Sequence, residues 1–511
     1  RLLPWVSKAI ALAVALTALY LVFMLYTTGQ TLWALGALGL FSAGFYVYVF
    51  QSSLAARYLF PGLAGMVLFI ALPLIYTAQI GFTNYSSAHL LSQERVRSYL
   101  LDQFDAVDEQ SHRFSVFASG NRYRIALRRD DSAKFDWVSP PIALEEGGGD
   151  IQIPMQTVDL SDIDSLPTLP LRELVRHRGA LKRLVLNLPM QTPEQALRYL
   201  GLHEFAPVRP QWQGHPDGSL IRLDGPTKGE VFKPNASTGY FENERHEILQ
   251  PGYKVMVGTH NFQRMLLDAE LRGPFLSIFA WTVTFALLTV VFAASIGMSL
   301  AVLLNWDALR GRTVYRTLLF LPYAVPAFIS ILVFKGLFNQ NFGEINAILN
   351  TLFGVKPAWF ADPMFAKTML LIVNVWLGYP FFMILCAGLL KAIPDDLYEA
   401  SAIAGAGPLT NFFKITLPLV IKPIAPLLVS VFAYNFNNFV VIALLTDGRP
   451  DYLSTKIPAG QTDILVSYTY RIAFKDSGSD FGLAAAISTL IFFLVAALSL
   501  LNLRLMRKAN A

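Results

Sequence analysis

Apolar residues occur along this chain in long runs, and one polar block separates two groups of these runs. No charged residue lies between Lys8 and Arg57, and the turn at 27–30 divides that run into two. Further apolar runs lie near 59–82, 274–304, 317–337, 368–390, 419–445 and 481–503. A helix needs about 20 apolar residues to cross a bilayer. The pattern therefore predicts about eight membrane-spanning helices.

Residues 90–272 form the polar block. It contains 22 of the 41 basic and 25 of the 36 acidic residues, so its net charge is −3 and that of the remainder is +8. Apolar residues alternate on both sides of the turn at 119–122, which is typical of a β-hairpin. Gly- and Pro-rich turns at 207–239 indicate further strands, and 192–194 predicts a helix start. We expect a mostly β domain here, between membrane helices at 1–89 and a helical core at 273–511.

Basic residues predict the orientation, because cytoplasmic loops are enriched in Lys and Arg. A cytoplasmic N-terminus places these on the inner side: Arg1, Lys8, Arg57, Arg310, Arg312, Arg316, Lys391, Lys414, Arg504, Arg507 and Lys508. The opposite turn at 27–30 has none, and the loop at 338–365 has Lys356 alone. The longer loop at 446–480 carries four, but longer loops obey the rule less strictly. We expect both termini in the cytoplasm and 90–272 in the periplasm.

The composition argues against several classes of function. With 54% hydrophobic and 15% charged residues, the chain is too apolar for one soluble domain. Its single cysteine, Cys386, lies in an apolar run and is expected to be buried and inert, and the seven histidines lack metal-ligand spacing. No G-x4-G-K-[ST] motif occurs, so ATP must bind elsewhere. The basic excess marks membrane sidedness and does not indicate nucleic-acid binding.

The chain begins at Arg1 rather than at a methionine, so we expect further residues before it. A second apolar run follows the first at once, which favours a membrane anchor over a cleaved signal peptide. The first run is therefore counted among the spanning helices.

Uncharged polar residues occur inside the predicted spans. They are Asn374, Asn435, Asn437 and Asn438, with Tyr323, Tyr379, Phe381, Tyr434 and Phe436 nearby. Amides donate to and accept from sugar hydroxyls, and aromatic faces cover the C–H surfaces of a sugar ring. Tyr434 and Asn438 are four residues apart and share a helix face. The pattern indicates a neutral sugar ligand, and its alternative is helix packing through Asn side chains.

One stretch between two apolar runs has a distinctive spacing. Residues 394–418 predict a small-residue helix, a glycine turn and a second helix. The spacing E-A-A-x3-G-x9-I-x-L-P is reproduced, except for Ser401 at the second alanine, by Glu399, Ala400, Gly405, Ile415, Leu417 and Pro418. The small side chains leave a slim helix that fits a groove on a partner. The alternative is an ordinary helix–turn–helix between spans.

This spacing resembles the cytoplasmic coupling loop of bacterial ABC-importer permeases, through which a separate ATPase drives transport. Within that family, the eight-span layout, the large insert after the third span and the tract N-F-N-N-F at 435–439 resemble the larger permease subunit of maltose/maltodextrin importers. Segments 321–323, 374–380 and 458–463 also fit. The resemblance covers essentially 1–511 and is strongest from about 315 onward.

The resemblance implies an all-α polytopic membrane protein with the ABC importer type I permease fold, and a mostly β periplasmic domain inserted between helices 3 and 4. It implies no catalysis and no cofactor or metal on this chain, with ATP and Mg bound by partner subunits. The implied partners are a smaller second permease subunit, two copies of a cytoplasmic ATPase, a periplasmic maltose-binding protein and inner-membrane lipid.

The resemblance also implies roles for individual residues. It implies a maltose or maltodextrin site near mid-membrane lined by Tyr323, Asn374, Leu377, Gly378, Phe381, Tyr434, Asn435 and Asn438. It implies that the ATPase is contacted by Glu399, Ala400, Ser401, Ala402 and Gly405.

Four positions depart from the family pattern. Ala404 stands where an aspartate usually precedes the glycine, which removes one polar contact but keeps the helix–glycine–helix form. Phe381 and Tyr434 exchange a hydroxyl for a hydrogen, or the reverse, and Val431 replaces a small polar residue. These differences bear on sugar preference.

Two other classes of function fit a polytopic chain. An ion-coupled secondary carrier usually needs an intramembrane charge, and no Asp, Glu, Arg or His lies mid-span in the predicted core. A membrane-protein insertase usually presents a charged groove among its spans, and the sequence indicates none. Co-purification of an ATPase would separate these alternatives from an ABC permease.

Overall fold

The computed structural model describes residues 4–29, 31–50, 53–106, 111–120, 122–129, 134–144, 150–158, 167–189, 196–201, 204–306, 308–453, 455, 458–475 and 479–509. The chain divides into two compact units. The helical unit combines Arg1–Ser87 and Met256–Ala511, and the β-rich unit is Ala88–Val255.

The N-terminal part of the helical unit consists of long apolar helices. They are α1 (Pro4–Thr27), α2 (Thr31–Phe45), α3 (Leu54–Met66) and α4 (Leu72–Gly81). A π-helical turn at Tyr46–Phe50 extends α2, and another at Val67–Ala71 joins α3 to α4. Helix α4 packs against the last helix of the chain, where a Cβ on Gly81 would lie 3.1 Å from the backbone of Ala486. The other helices present mostly exposed apolar side chains, as expected of surfaces that face lipid or a partner.

The β-rich unit contains short helices and two antiparallel-dominated sheets. Its helices are α5 (Gln93–Leu101), α6 (Leu171–Arg176) and α7 (Arg178–Leu181). Its strands are β1 (Phe104–Ala106), β2 (His112–Ser119), β3 (Arg122–Arg129), β4 (Trp137–Val138), β5 (Ile151–Pro154), β6 (Gln156–Thr157), β7 (Leu184–Asn187), β8 (Leu197–Gly201), β9 (Glu204–Pro210), β10 (Trp212–Gly214), β11 (Leu220–Arg222), β12 (Val231–Asn235), β13 (Tyr240–Glu242) and β14 (Ile248–Leu249).

The larger sheet has nine strands in the described part of the chain, in the order β5-β7-β8-β9-β2-β3-β4-β6, with β1 also paired to β9. The predicted hairpin is confirmed, because β2 pairs with β3 from His112 opposite Arg129 to Ser119 opposite Arg122. Alternating side chains such as Val116 and Ile125 fill the core below the sheet. The second sheet runs β10-β11-β12-β13-β14, and its core includes Trp212 and Phe241. The helix start predicted at 192–194 lies outside the described residues.

The remaining helices belong to the helical unit. They are α8 (His260–Leu267), α9 (Ala269–Leu304), α10 (Arg312–Ala324), α11 (Ala327–Leu337), α12 (Glu344–Phe353), α13 (Pro363–Leu390), α14 (Asp396–Ile403), α15 (Pro408–Asn411), α16 (Leu417–Phe436), α17 (Phe439–Leu445), α18 (Leu465–Phe474) and α19 (Phe481–Ala509). A π-helical turn at Phe412–Thr416 joins α15 to α16.

The β-rich unit ends at Val255, earlier than the predicted boundary at 272. Residues 256–272 are as charged as the preceding block, so composition alone assigned them to it. In the structure they form α8 and the first turn of α9, and Arg264 pairs with Asp480 at 2.9 Å inside the helical unit. The boundary follows helix packing rather than charge.

Within the described residues, seven helices are long and apolar enough to cross a membrane, or up to eight if the bent pair α10–α11 forms one span. The longest is α9, which at 1.5 Å per residue measures about 54 Å. It packs along α13, and a Cβ on Gly297 would lie 2.6 Å from the Cβ of Phe382. Glycine is required there because the two helices approach so closely.

Two predicted spans are interrupted in the structure. The run at 317–337 is bent by 94° between α10 and α11, because Val325 precedes Pro326 and takes an extended conformation. The run at 419–445 ends as a helix at Phe436, and α17 begins only after Asn437 and Asn438. Neither break point carries a charge, so counting apolar runs did not divide either span.

The segment between α17 and α18 is held by buried charges. Asp463 is fully buried and accepts from the Gly460 N–H and the Ser467 hydroxyl, both at 2.8 Å. Arg471 lies 3.0 Å from Asp463 and 2.6 Å from Asp451, so one guanidinium joins two carboxylates. Burial raises the pKa of Asp463 to about 6, although the Arg471 charge opposes that rise. The contacts of Arg471 with Asp463 and Asp451 tie α18 to the preceding loop.

Candidate functional site

A cavity of about 740 Å³ lies inside the helical unit. Its walls come from α9, α13, α16, the start of α17 and the bend between α10 and α11. All eight residues predicted for the sugar site line it: Tyr323, Asn374, Leu377, Gly378, Phe381, Tyr434, Asn435 and Asn438. The structure thus brings together residues from three distant parts of the chain. The volume falls in the range of about 300–1,000 Å³ that is common for ligand pockets.

Both interrupted spans break at this cavity. Pro322, Val325 and Pro326 line it at the bend after α10, and Asn438 lines it at the gap before α17. In membrane transporters, broken helices place backbone polar groups and side-chain ends where a substrate can reach them. The two breaks therefore shape the cavity as well as supplying its residues.

Three asparagines and one threonine form a connected network on the cavity wall. The Asn374 Nδ2 donates to the Asn435 Oδ1 at 2.7 Å and to the Thr289 Oγ1 at 3.1 Å. The Asn374 Oδ1 accepts from the Asn438 Nδ2 at 3.1 Å. The Asn435 Nδ2 donates to the Val431 carbonyl, four residues earlier in the helix, at 2.8 Å. Asn374 and Asn435 are each only 4% exposed, whereas Asn438 is half-buried.

Aromatic rings supply the other walls of the cavity. Tyr434 is 68% exposed and Tyr323 is also exposed. The Phe381 ring packs edge-to-face against Phe382. Tyr379, which sequence analysis placed near the site, instead donates its hydroxyl to the Leu319 carbonyl at 2.9 Å and does not line the cavity. Phe436 and Asn437 also lie outside the lining, since Phe436 is buried in the core and Asn437 is exposed elsewhere.

Sequence reasoning missed several lining residues. The most polar of these is Thr289 on α9, and the others are mainly small or apolar side chains such as Ala293, Val440 and Val441. No local motif marks Thr289, because a threonine in an apolar helix usually bonds its own backbone. Among the described residues that line the cavity, none is charged. The site therefore suits a neutral ligand with many hydroxyls.

The predicted coupling loop has the predicted local form. Helix α14 is followed by Gly405 at φ +75°, a left-handed conformation that favours glycine, and then by α15. Two hydrogen bonds join α14 to the part of the loop after Gly405. The Ser401 hydroxyl donates to the Asn411 Oδ1, and the Tyr398 and Thr416 hydroxyls lie 2.9 Å apart. The loop is thus internally braced.

The outer surface of this loop is open. Glu399, Ala400 and Ala402 are exposed, as is Ala404 at the position where the family pattern has an aspartate. Ile403 is 89% exposed, and Leu409 and Phe413 are also exposed. An acidic residue beside a cluster of exposed apolar side chains is a surface that a protein partner can cover.

No group of three or more metal-ligating side chains occurs in the described parts of the chain. Cys386 is buried on α13, among apolar side chains such as Val420 and Ile424. The cavity network and the coupling loop are therefore the features that carry candidate function.

Curated relatives decide the family. The maltose/maltodextrin transport system permease protein MalF of Klebsiella aerogenes is 49% identical over 499 residues, which cover 96% of this chain and 94% of the relative. MalF of Escherichia coli K12 is 49% identical over 498 residues, with the same coverage of both chains. MalF of Vibrio cholerae is 48% identical over 499 residues, covering 96% and 93%. The chain belongs to the MalF family.

Family models locate two domains within this MalF-family chain. The MalF P2 domain matches 91–258, close to the β-rich unit, and the binding-protein-dependent transport system inner membrane component matches 293–508. These matches confirm an ABC-importer permease domain of apolar helices together with a large β-rich domain. A solved alginate ABC transporter aligns with 49% of this chain and 84% of its own at 21% identity, with a TM-score of 0.43 that is too low to support an argument.

Proposed function

We propose that this chain is the permease subunit of an ATP-driven importer that carries maltose and maltodextrins from the periplasm to the cytoplasm. One observation carries the proposal: the eight residues expected to line a sugar site surround one uncharged cavity. Amides there can exchange hydrogen bonds with sugar hydroxyls, and the Tyr434, Tyr323 and Phe381 rings can cover the C–H faces of the sugar. Membership of the MalF family supports the same substrate class.

The proposed topology has eight spans. Seven are the long helices, and the bent pair α10–α11 is the eighth. Both termini lie in the cytoplasm, and the β-rich unit is a periplasmic domain inserted between the third span (Leu54–Gly81) and the fourth, α9. The basic residues flanking the spans support this orientation. The periplasmic domain grips the sugar-binding protein in this scheme, and the alternative is a role in folding alone.

The proposed assembly contains a second permease subunit, two copies of a cytoplasmic ATPase and a periplasmic maltose-binding protein, embedded in inner-membrane lipid. This chain is non-catalytic, and ATP and Mg bind the ATPase. Glu399, Ala400, Ser401, Ala402 and Gly405 form the contact with that ATPase. The open acidic and apolar surface of the loop supports this assignment.

The connection between loop and cavity supports a coupling mechanism. Helix α13 carries Asn374 and leads into the coupling loop, and the loop leads into α16, which carries Asn435. The Asn374–Asn435 hydrogen bond joins these helices at the cavity, 61 residues apart in sequence. Closure of the ATPase pair moves the braced loop, and both helices carry that motion to the site. The cavity thereby alternates between outward and inward access.

The test is sugar uptake into proteoliposomes that contain all subunits. Replacement of Asn435→Ala together with Asn438→Ala removes two amides of the cavity, and we expect ATP-driven maltose uptake to fall about 100-fold or more. Each lost hydrogen bond at a desolvated site costs about 1–3 kcal/mol. The control is Asn437→Ala, which alters a neighbouring amide outside the cavity lining and should keep uptake within twofold.

Unchanged uptake in the double variant would show that the sugar binds elsewhere. Uptake that needs a proton gradient but neither ATP nor an ATPase subunit would instead favour an ion-coupled carrier. The same preparation separates these outcomes, since ATP and the gradient are supplied independently.

A further inference from the structure

Thr289 is the cavity residue that the sequence gives no reason to select. It lies in the middle of α9, is 2% exposed, and shares the cavity wall with Ala293 of the same helix. Its hydroxyl accepts a hydrogen bond from the Asn374 Nδ2 at 3.1 Å across the helix interface, from a residue 85 positions away. Thr284, on the exposed face of α9, instead donates to the Ala280 carbonyl of its own helix at 2.8 Å. The bond to Asn374 therefore gives Thr289 a tertiary role.

The direction of each hydrogen bond in the network follows from one main-chain group. The Val431 carbonyl can only accept, so Asn435 must point its Nδ2 there and its Oδ1 toward Asn374. Asn374 must then present its Nδ2 to Asn435, which leaves its Oδ1 for Asn438. The Val431 carbonyl of α16 thus determines the orientation of the Asn435 amide, which determines that of Asn374 and, through it, that of Asn438.

Thr289 accepts the remaining hydrogen bond in the buried part of this network. The Asn374 Nδ2 carries two hydrogens; one goes to Asn435 and the other to Thr289. Asn374 and Asn435 are almost fully buried and bond chiefly to one another and to the protein. Asn438 uses one Nδ2 hydrogen on Asn374, which leaves its Oδ1 and its second Nδ2 hydrogen for a ligand in the cavity. Asn438 is thus the most exposed of the three amides and has both an acceptor and a donor that can face a ligand.

We propose that Thr289 is a positioning residue of the sugar cavity: it holds the Asn374 amide so that Asn438 presents an acceptor and a donor to a sugar hydroxyl. This inference rests on the proposed sugar-import function.

A positioning role predicts an effect on sugar affinity. Thr289→Val keeps the shape of the side chain but removes the acceptor, so one buried Asn374 N–H loses its partner and the Asn374 Nδ2 is held by Asn435 alone. We expect the KM for maltose uptake to rise about tenfold while kcat stays within twofold. The reason is that binding weakens by the same amount in the ground state and in the transition state. Thr289→Ser keeps the hydroxyl and should restore KM to within twofold. Thr284→Val is the matched control on the exposed face of α9 and should leave both constants unchanged.

A double-mutant cycle with Asn438→Ala gives the deciding measurement. If Thr289 acts through Asn438, Thr289→Val adds less than twofold to KM in the Asn438→Ala background. Where turnover of that background is too low for kinetics, the Kd for radiolabelled maltose of the purified membrane complex, measured without the maltose-binding protein, replaces KM in the same cycle.

Three results would overturn the inference. They are a wild-type KM for Thr289→Val, a further tenfold rise in the Asn438→Ala background, or a loss of kcat with unchanged KM that Thr289→Ser fails to restore. Failure of the proposed function is distinguishable, because in that case the wild-type complex itself shows no ATP-dependent maltose uptake.

Discussion

The cavity proposed to bind sugar and the loop proposed to contact the ATPase are both polar features of a mostly apolar chain, but they are built in different ways. The cavity network joins Thr289, Asn374, Asn435 and Asn438, which are up to 149 positions apart and are mainly buried. The coupling loop is contiguous, and its internal bonds join residues only 10 and 18 positions apart. Its outer face is open to solvent.

This difference determines how each region responds to substitution. In the cavity, every buried amide has its partners inside the protein, so a change at one position leaves the others unpaired. In the loop, exposed groups keep water as an alternative partner, so their loss costs the isolated subunit little. The function of the loop then depends on which of its exposed residues a partner covers. The function of the cavity depends on contacts within the protein itself.

The largest effect is expected from Asn374→Leu, which keeps a side chain branched at Cγ but removes three hydrogen bonds at once. The acceptor of Asn435 and a donor of Asn438 lose their partner, and uptake should fall at least 100-fold. Uptake assays in proteoliposomes, normalised to folded complex, measure this effect.

Asn346→Leu is the matched control for that variant. Asn346 is also a buried asparagine with three hydrogen bonds, to Gln340, Pro357 and Trp359, but it lies away from the cavity. We expect a comparable loss of thermal stability with an unchanged KM for sugar. Equal KM changes in both variants would mean that the cavity amides only support the fold.

A smaller effect is expected from Glu399→Lys in the coupling loop. Its exposed charge reverses, so contact with the ATPase should weaken and uptake should fall about tenfold, while sugar binding and melting temperature stay as in the wild type. Glu344→Lys reverses an equally exposed acid in the first turn of α12 and should leave uptake unchanged. Full ATP-driven uptake in Glu399→Lys would remove the coupling assignment.

The smallest effect is expected from Ser401→Ala, which breaks the bond to Asn411 within the loop. A single partly exposed hydrogen bond contributes about 0.5–1.5 kcal/mol, so uptake should change no more than about threefold. Asn411→Ala should match it, and the double variant should equal either single variant. A tenfold loss of uptake would show that the hydrogen bonds within the loop matter as much as its contact with the partner. The loop would then depend on internal hydrogen bonds, as the cavity does.

Sequence reasoning anticipated much of this molecule. Alternation around 119–122 predicted the β2–β3 hairpin, and small residues with Gly405 predicted the helix–glycine–helix form of 394–418, because each depends on neighbours within one or two turns. Residue chemistry and family resemblance together selected eight residues that line one cavity. The bend at Pro326 and the gap at Asn437–Asn438 were missed, since both lie in runs without a charge and the asparagines were interpreted as ligand contacts rather than as a helix break.

The sequence by itself determined where apolar helices form, where the β-rich block lies and which residues couple a helix to a glycine turn, since these are local properties of spacing and composition. Only the tertiary structure decided that Thr289 meets Asn374, that Tyr379 turns away from the cavity, and that Asn438 donates to Asn374 at the cavity wall. Those outcomes depend on how separate helices approach one another, and the hydrogen bonds of a buried amide are assigned only when all of its neighbours are in place.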